Sequence, residues 1–215
     1  MKTQLNTHIR LMAISIFFVL LTGLSSLFSM NLMHQELDSL NQSHQKLLTA
    51  TLAIEEAHTQ FKIQVQEWKN LLLRGNNPDD YKKYFSSFNY QTDQVQQSLN
   101  TAKTSLNDNL LNEIDEAIKQ HKELVEIYLK TLSGAKLDNL NDIESVDESI
   151  RGIDRPLDTL FPQLSKKITN ELQEKVIADN ELQEKYYNQN TLLISSFVSA
   201  SIIFIILSFW ISNRK

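Results

Sequence analysis

Residues 37–72, LDSLNQSHQKLLTATLAIEEAHTQFKIQVQEWKNLL, decide the fold of this chain. Read in alternating steps of three and four residues, the stretch has a mostly apolar seam and contains neither Gly nor Pro. Such a sustained repeat is typical of one long helix, ~50 Å in length, that packs in a bundle or coiled coil. The predicted bundle or dimer seam consists of Leu37, Leu40, His44, Leu47, Thr51, Ile54, His58, Phe61 and Val65.

The composition favours a few long helices joined by a few loops. The 215 residues include only 4 Gly and 3 Pro, too few turn formers for a β-sandwich or a multi-loop α/β enzyme. The absence of Cys excludes disulfides, thiol catalysis and cysteine metal sites. With a net charge of −5, no nucleic-acid partner is expected. All 26 acidic residues lie from Glu36 to Glu184, and the charged residues outside that range are Lys2, Arg10, Arg214 and Lys215.

Two uncharged apolar runs flank the acidic middle, at residues 11–33 and 191–213. Each is long enough to cross a bilayer core, which takes about 20 apolar residues. Because basic residues lie beyond the outer ends of both runs, the positive-inside rule places both termini in the cytoplasm. We predict cytoplasmic residues 1–10, a transmembrane helix at 11–33, an outside domain at 34–190, a second span at 191–212 and a cytoplasmic end at 213–215. A cleaved signal peptide is the alternative for the first run, although that run is longer than a signal core and no A-x-A site follows.

The sequence of the outside domain predicts four helices. The first ends near Arg74, where Gly75 is free to take a positive φ, and Asn77-Pro78-Asp79-Asp80 has the pattern of a helix start. Further breaks are predicted at Asn107-Asp108-Asn109 and at Gly134, with a short helical turn around 143–150 and a fourth helix from 151–156 onward.

Short loops place consecutive helices side by side in opposite directions. The predicted fold is therefore an all-α membrane protein, with an up-down-up-down four-helix bundle between two transmembrane helices. A homodimer is also expected, because the narrow seam of the first helix resembles that of a coiled coil.

The sequence has no pattern typical of an enzyme. It contains no Gly-rich phosphate loop, Cys nucleophile or HExxH motif, so we expect no catalytic residue, no cofactor and no metal site. Two seam histidines, His58 and His121, are predicted at similar heights in the bundle. They could form a metal-binding or pH-sensitive pair. The alternative, which we favour, is that they are core residues that set the register of the helices.

The arginines suggest a binding site. The outside domain has 14 Lys but only three Arg, and the predicted topology gathers Arg74, Arg151 and Arg155 at the membrane-distal end. The planar guanidinium fork suits carboxylate and phosphate better than an ammonium does. With Trp68, Tyr81 and Tyr84 close to the same end, a pocket for a small anionic solute is one hypothesis. The alternative is that the arginines hold the loops through surface ion pairs with Asp79, Asp80 and Asp154.

Two segments resemble bacterial methyl-accepting chemotaxis receptors. FKIQVQEWKNLLLRGNNPDDYKKYF, residues 61–85, resembles the junction between the first two sensor helices of these receptors, and IRGIDRPLDTL, residues 150–160, is similar to the lead into their fourth sensor helix. The resemblance implies a dimeric periplasmic sensor bundle in the bacterial inner membrane, which binds small solutes near the distal end of its first and fourth helices. It further implies that the second span passes a small displacement to a cytoplasmic HAMP domain and a methylated signalling hairpin.

The chain ends at Lys215, where the resemblance places the HAMP domain. We therefore expect either the sensor part of a truncated receptor or a natural short membrane protein. Two other functions remain open from the sequence. One is an interaction module without a ligand, which forms homodimers or heterodimers with related receptors. The other is the sensor part of a histidine kinase. In each case membrane lipid is an expected partner.

Overall fold

The computed structural model describes residues 2–106 and 108–213. These residues form α1 (Lys2–Arg74), α2 (Pro78–Ser105), α3 (Asp108–Ser133), α4 (Leu140–Ile150) and α5 (Arg155–Asn213), joined by turns and short loops. No strand occurs in the two described ranges. The all-α prediction is therefore confirmed. The basic residues Arg214 and Lys215, and Asn107 of the predicted turn before α3, lie outside the described residues.

Two compact units divide the chain. The first comprises the described residues of Met1–Gln42 and Val176–Lys215, and the second is Ser43–Lys175. In the part of the chain that the structure describes, two helices are long and apolar enough to cross a membrane, within Ala13–Arg74 and Arg155–Leu207. Their apolar windows are almost wholly unburied, with large side chains such as Leu24 and Ile203 exposed. Large apolar side chains left exposed along a helix of this length are typical of a membrane span.

The start of α2 follows from its sequence. Asn77 precedes the helix in extended conformation, and its side-chain oxygen accepts hydrogen bonds from the backbone amides of Asp79 and Asp80. Pro78 occupies the first turn, where its missing amide hydrogen costs nothing. The two acidic side chains of this turn lie at the positive end of the helix dipole. The predicted start near Pro78 is therefore correct.

Aromatic side chains join the helices of the second unit. Trp68 of α1 stacks on Tyr128 of α3, with ring centroids 4.5 Å apart, and contacts Phe88 of α2 at 5.7 Å. Further along the core, Phe61 of α1 meets Phe161 of α5 at 5.5 Å. All five residues are buried. These contacts show that α1 packs against α2, α3 and α5 in one core.

The buried face of α1 is wider than the predicted seam. Thr51, Leu47, Ile54, Phe61 and Val65 of the seam are buried, whereas Leu37, Leu40, His44 and His58 are partly buried. The buried set also includes Ala50, Ala53, Ala57, Gln64 and Leu71. A stripe of this width is typical of a helix that packs into the core of its own chain.

Polar contacts give the direction of neighbouring helices. Along α1 and α5, Ser43 contacts Lys175, Glu55 contacts Ser165, and His58 contacts Asp158. Residue numbers rise on one helix as they fall on the other, so these two segments are antiparallel.

Two glycines shape the connections. A Cβ atom at Gly75 would collide with the carbonyl oxygen of Leu71 and would lie 2.7 Å from Leu137 Cδ1. Position 75 therefore requires glycine because the Leu71 carbonyl approaches its Cα too closely for a side chain. The expectation of a positive φ at Gly75 is wrong. Among the described residues the positive φ belongs to Gly152, at 79°, in the turn between α4 and α5.

Candidate functional site

Arg74 forms an exposed cationic corner at the end of α1. Its Nη1 donates a hydrogen bond of 2.8 Å to the Tyr84 hydroxyl oxygen, and its guanidinium carbon lies 5.8 Å from the centre of the same ring. The hydrogen bond to Tyr84 raises the pKa of Arg74 above its usual value, so the group stays charged. Tyr84 itself is buried on α2. The corner therefore presents a fixed, charged fork to solvent.

Tyr81 and Trp68 occupy different surroundings near this corner. Tyr81 is partly buried and stacks on Phe85, with ring centroids 5.6 Å apart. Trp68 is 1 % exposed and lies inside the core against Tyr128. Its indole nitrogen has no hydrogen-bond partner among the described residues. A solute can reach Tyr81 from outside, but it cannot reach Trp68 unless the core opens.

Arg151 and Arg155 lie at the connection from α4 to α5. Nη2 of Arg151 donates a 2.8 Å hydrogen bond to Asp147, one turn earlier, and this bond raises the pKa of Arg151. Arg155 is exposed at the first position of α5, and its side chain passes so close to Gly152 that a Cβ there would lie 3.2 Å from Nε. The ion pair of Arg151 is with Asp147, not with one of the aspartates expected from the sequence.

The structure does not bring the three arginines together. Asp158 of α5 contacts His58 of α1, so Arg155, three residues earlier on α5, lies level with about residue 61 of α1. Arg74 is more than ten residues further along α1, an offset of roughly 15–20 Å at 1.5 Å per residue. The expected gathering requires α1 to end level with the start of α5, whereas α1 continues to Arg74, well beyond the level at which α5 begins.

A buried polar chain links α1, α2 and α3. The Gln96 side-chain nitrogen lies 2.6 Å from His121 Nδ1, and His121 Nε2 lies 2.9 Å from Gln64 Oε1. Gln64 in turn donates a 2.6 Å hydrogen bond to the Thr92 hydroxyl. This order of donors and acceptors requires a neutral imidazole with its proton on Nε2. Burial lowers the pKa of His121 to about 4.

The two seam histidines do not form a pair. His58 contacts Phe161 at 5.7 Å between ring centroids, and His121 contacts Phe61 at 6.1 Å. The two phenylalanines touch each other, so they separate the imidazoles. Across the described residues, no group of three or more His, Asp and Glu side chains is placed to hold a metal ion.

A groove between α1 and α5 was not predicted from the sequence. It has a volume of about 330 Å³, and its walls include Glu55, His58, Phe161, Ser165 and Lys166. His58 Nε2 lies 2.8 Å from Asp158 Oδ1 at its edge. The heptad pattern gave His58 a place on the seam, but it could not reveal that Pro162 and Lys166 of α5 would face the same groove.

Comparison with known proteins gives one informative relative. The chain is 30 % identical over 170 residues to the methyl-accepting chemotaxis protein CtpH of Pseudomonas aeruginosa. The chain is related to part of a methyl-accepting chemotaxis protein. The similar region covers 77 % of this chain and 28 % of CtpH, so the chain spans less than a third of the length of that relative. No protein-family model and no solved structure matches.

The similarity agrees with the resemblance seen at residues 61–85 and 150–160, since it shows that a region of this chain is related to a methyl-accepting chemotaxis protein. It supports a role in chemotaxis signal transduction and favours a transducer over an enzyme.

Proposed function

We propose that this chain is the membrane-anchored sensor portion of a chemotaxis signal transducer. The observation that carries the proposal is the 170-residue similarity to a methyl-accepting chemotaxis protein. In this proposal residues 11–33 and 191–212 cross the bacterial inner membrane, both termini are cytoplasmic, and residues 34–190 are periplasmic. The four long helical segments of the outside domain form an up-down-up-down bundle, and α4 is an addition between the third and fourth.

The proposed solute site is the corner formed by Arg74, Tyr81 and Tyr84. An exposed guanidinium held in place by a buried tyrosine has less side-chain freedom to lose when it binds a carboxylate or phosphate. Arg151 and Arg155 would form a second, separate basic group near the start of α5. Trp68 supports the corner from inside the core and is not a contact of the solute.

Signalling would require two packings of α5 against α1. A solute shifts such an equilibrium only if it binds one packing more tightly than the other. The polar contacts of Ser43, Glu55 and His58 with α5 are the ones that an axial shift would break and remake. Dimerisation of the outside domain would place a second copy beside these helices.

Thermal unfolding of the full chain in nanodiscs tests this proposal. Amino acids, organic acids and inorganic phosphate are titrated one at a time, and a solute that binds the folded state raises Tm by mass action. Arg74→Ala should abolish the shift and Arg74→Lys should weaken it, because Lys keeps the charge but lacks the planar fork. Lys82→Ala is the matched control, since Lys82 is exposed on the first turns of α2.

The arms of the experiment separate the possible sites. A shift that survives Arg74→Ala but is lost in the double variant Arg151→Ala, Arg155→Ala would move the site to the start of α5. A shift lost in Lys166→Ala would move it to the groove between α1 and α5. If no solute raises Tm, the sensor function is wrong for the solutes tested.

A second candidate is an interaction module without a ligand. Leu48 and Leu52 of α1 are 49 % and 56 % exposed, one turn apart. In this proposal they pack against another copy or a related receptor. Because the chain has no Cys, Leu48→Cys provides a single cross-linking position. Disulfide-linked dimers of this variant in membranes, with no response of Tm to any solute, would favour the module over the sensor.

A further inference from the structure

A cavity of about 880 Å³ lies in the first unit, between α1 and α5. Its lining residues recur at intervals of three and four on both helices, including Leu32, Met33 and Glu36 on α1 and Gln183, Glu184 and Tyr187 on α5. Side chains at these intervals share one helix face. The cavity is therefore built by two faces that oppose each other.

The cavity lies at the outer ends of both apolar runs. Met33 is the last residue of the run at 11–33, and Asn190 directly precedes the run at 191–213. In a membrane-spanning chain this is the level of the lipid headgroups. Tyr186 and Tyr187 suit that level, since tyrosine is enriched at the boundary between the bilayer core and water.

The charge of the lining selects a cation. Among the described residues that line the cavity, Glu36 and Glu184 are acidic and none is basic. The faces of the two tyrosine rings also attract an ammonium group. The other polar liners are mainly Asn and Gln, whose amide groups can donate hydrogen bonds to phosphate oxygens. Leu32 and Met33 supply the apolar surface that an acyl chain needs.

We propose that this cavity binds the headgroup of phosphatidylethanolamine from the outer leaflet. Glu36 and Glu184 would accept hydrogen bonds from the primary ammonium, and the amides and tyrosine hydroxyls would donate to the phosphate. An anionic headgroup such as phosphatidylglycerol is disfavoured by the two carboxylates. A choline headgroup has no N–H to donate to them. The inference rests on the proposed membrane placement, and not on the chemoreceptor function.

Native mass spectrometry of the full chain in detergent tests the inference. The chain is titrated with phosphatidylethanolamine, phosphatidylglycerol and phosphatidylcholine of the same acyl composition, and bound lipid is counted. We expect the ethanolamine lipid to bind most tightly. Each of Glu36→Gln and Glu184→Gln should lower the affinity for this lipid about two- to fivefold, because exposed ion pairs contribute modestly. The double variant should lower it about tenfold. Asp38→Asn and Glu181→Gln are the matched controls, since both side chains are exposed and outside the lining.

Three outcomes would overturn the inference. Equal affinity for the three lipids would show that the carboxylates do not select the headgroup. An unchanged preference in the double variant would place the lipid elsewhere. Spontaneous disulfide formation by Leu37→Cys between two chains, with loss of bound lipid, would show that a second copy fills the cavity.

Carbonate extraction of the membranes tests separately whether the chain is embedded in the bilayer. Release of the chain overturns both the proposed function and the lipid site. Retention of the chain with no lipid selectivity overturns the lipid site alone.

Discussion

Acidification should destabilise the second unit through His121. The side chain is fully buried, and both ring nitrogens have partners in Gln64 and Gln96 that suit only the neutral form. Protonation of Nδ1 would direct an N–H at the Gln96 amide nitrogen, which is itself a donor. Burial lowers the pKa of His121 in the folded state from 6.5 to about 4, whereas the unfolded chain keeps the usual value.

The sign and size of the effect follow from linkage. The unfolded state binds the proton at higher pH than the folded state, so stability is fully present above pH 6.5 and falls as the pH drops toward about 4. Each unit of pKa difference corresponds to about 1.4 kcal/mol, so the loss is roughly 3 kcal/mol. That is a large part of the stability of an ordinary domain.

Urea unfolding of the full chain in nanodiscs measures this loss. Trp68 reports on the core of the second unit once the other tryptophan is removed by Trp210→Phe. The free energy of unfolding is compared at several pH values with that of His121→Gln in the same background, so that the dependence contributed by carboxylates cancels. His58→Gln, which alters a partly exposed histidine, is the control. If the difference between the parent and His121→Gln does not change with pH, His121 is not held neutral by the core.

Three further predictions concern the packing of the second unit and are checked in the same unfolding assay. Gly152→Ala should lower the free energy of unfolding by about 1–2 kcal/mol because φ is positive there. Gly134→Ala should be neutral or stabilising because a Cβ meets nothing within 4 Å. Equal effects of the two substitutions would contradict this reasoning. Asn77→Ala should cost about 1 kcal/mol by removing the cap of α2, and Asn77→Asp should cost much less. Phe161→Ala should cost roughly 3–5 kcal/mol because the ring is fully buried against Phe61, and a loss below about 1 kcal/mol would show that α5 does not pack there.

Local signals in the sequence predicted the helix boundaries well. Asn77 and Pro78 have the chemistry of a helix start, and Gly134 follows directly on the last residue of α3. These predictions succeed because capping depends on a few neighbouring residues and on little else in the chain. The long heptad pattern likewise identified α1, since its period is a property of the helix itself.

The arrangement of the arginines could not be predicted in the same way. It depends on how far α1 extends past the start of α5, and that length is decided by the tertiary packing of the two helices. The role of Gln64 was also missed. A glutamine between apolar seam positions looks like a solvent-facing residue until His121 and Thr92 are known to lie within hydrogen-bonding distance. Such pairings join residues far apart in sequence, and a periodic pattern contains no information about them.

The turn from α4 to α5 has a mechanical consequence. Ile150 and Leu157, on either side of it, are both buried, and backbone hydrogen bonds join Ile153 to Ile150 and Arg155 to Gly152. The start of α5 is thus fastened at two points separated by one short turn. A displacement of α5 by a whole helical turn, about 5.4 Å, would pull a buried side chain into water. Only movements of a fraction of a turn are compatible with an intact core, so any motion of this helix has a built-in upper limit.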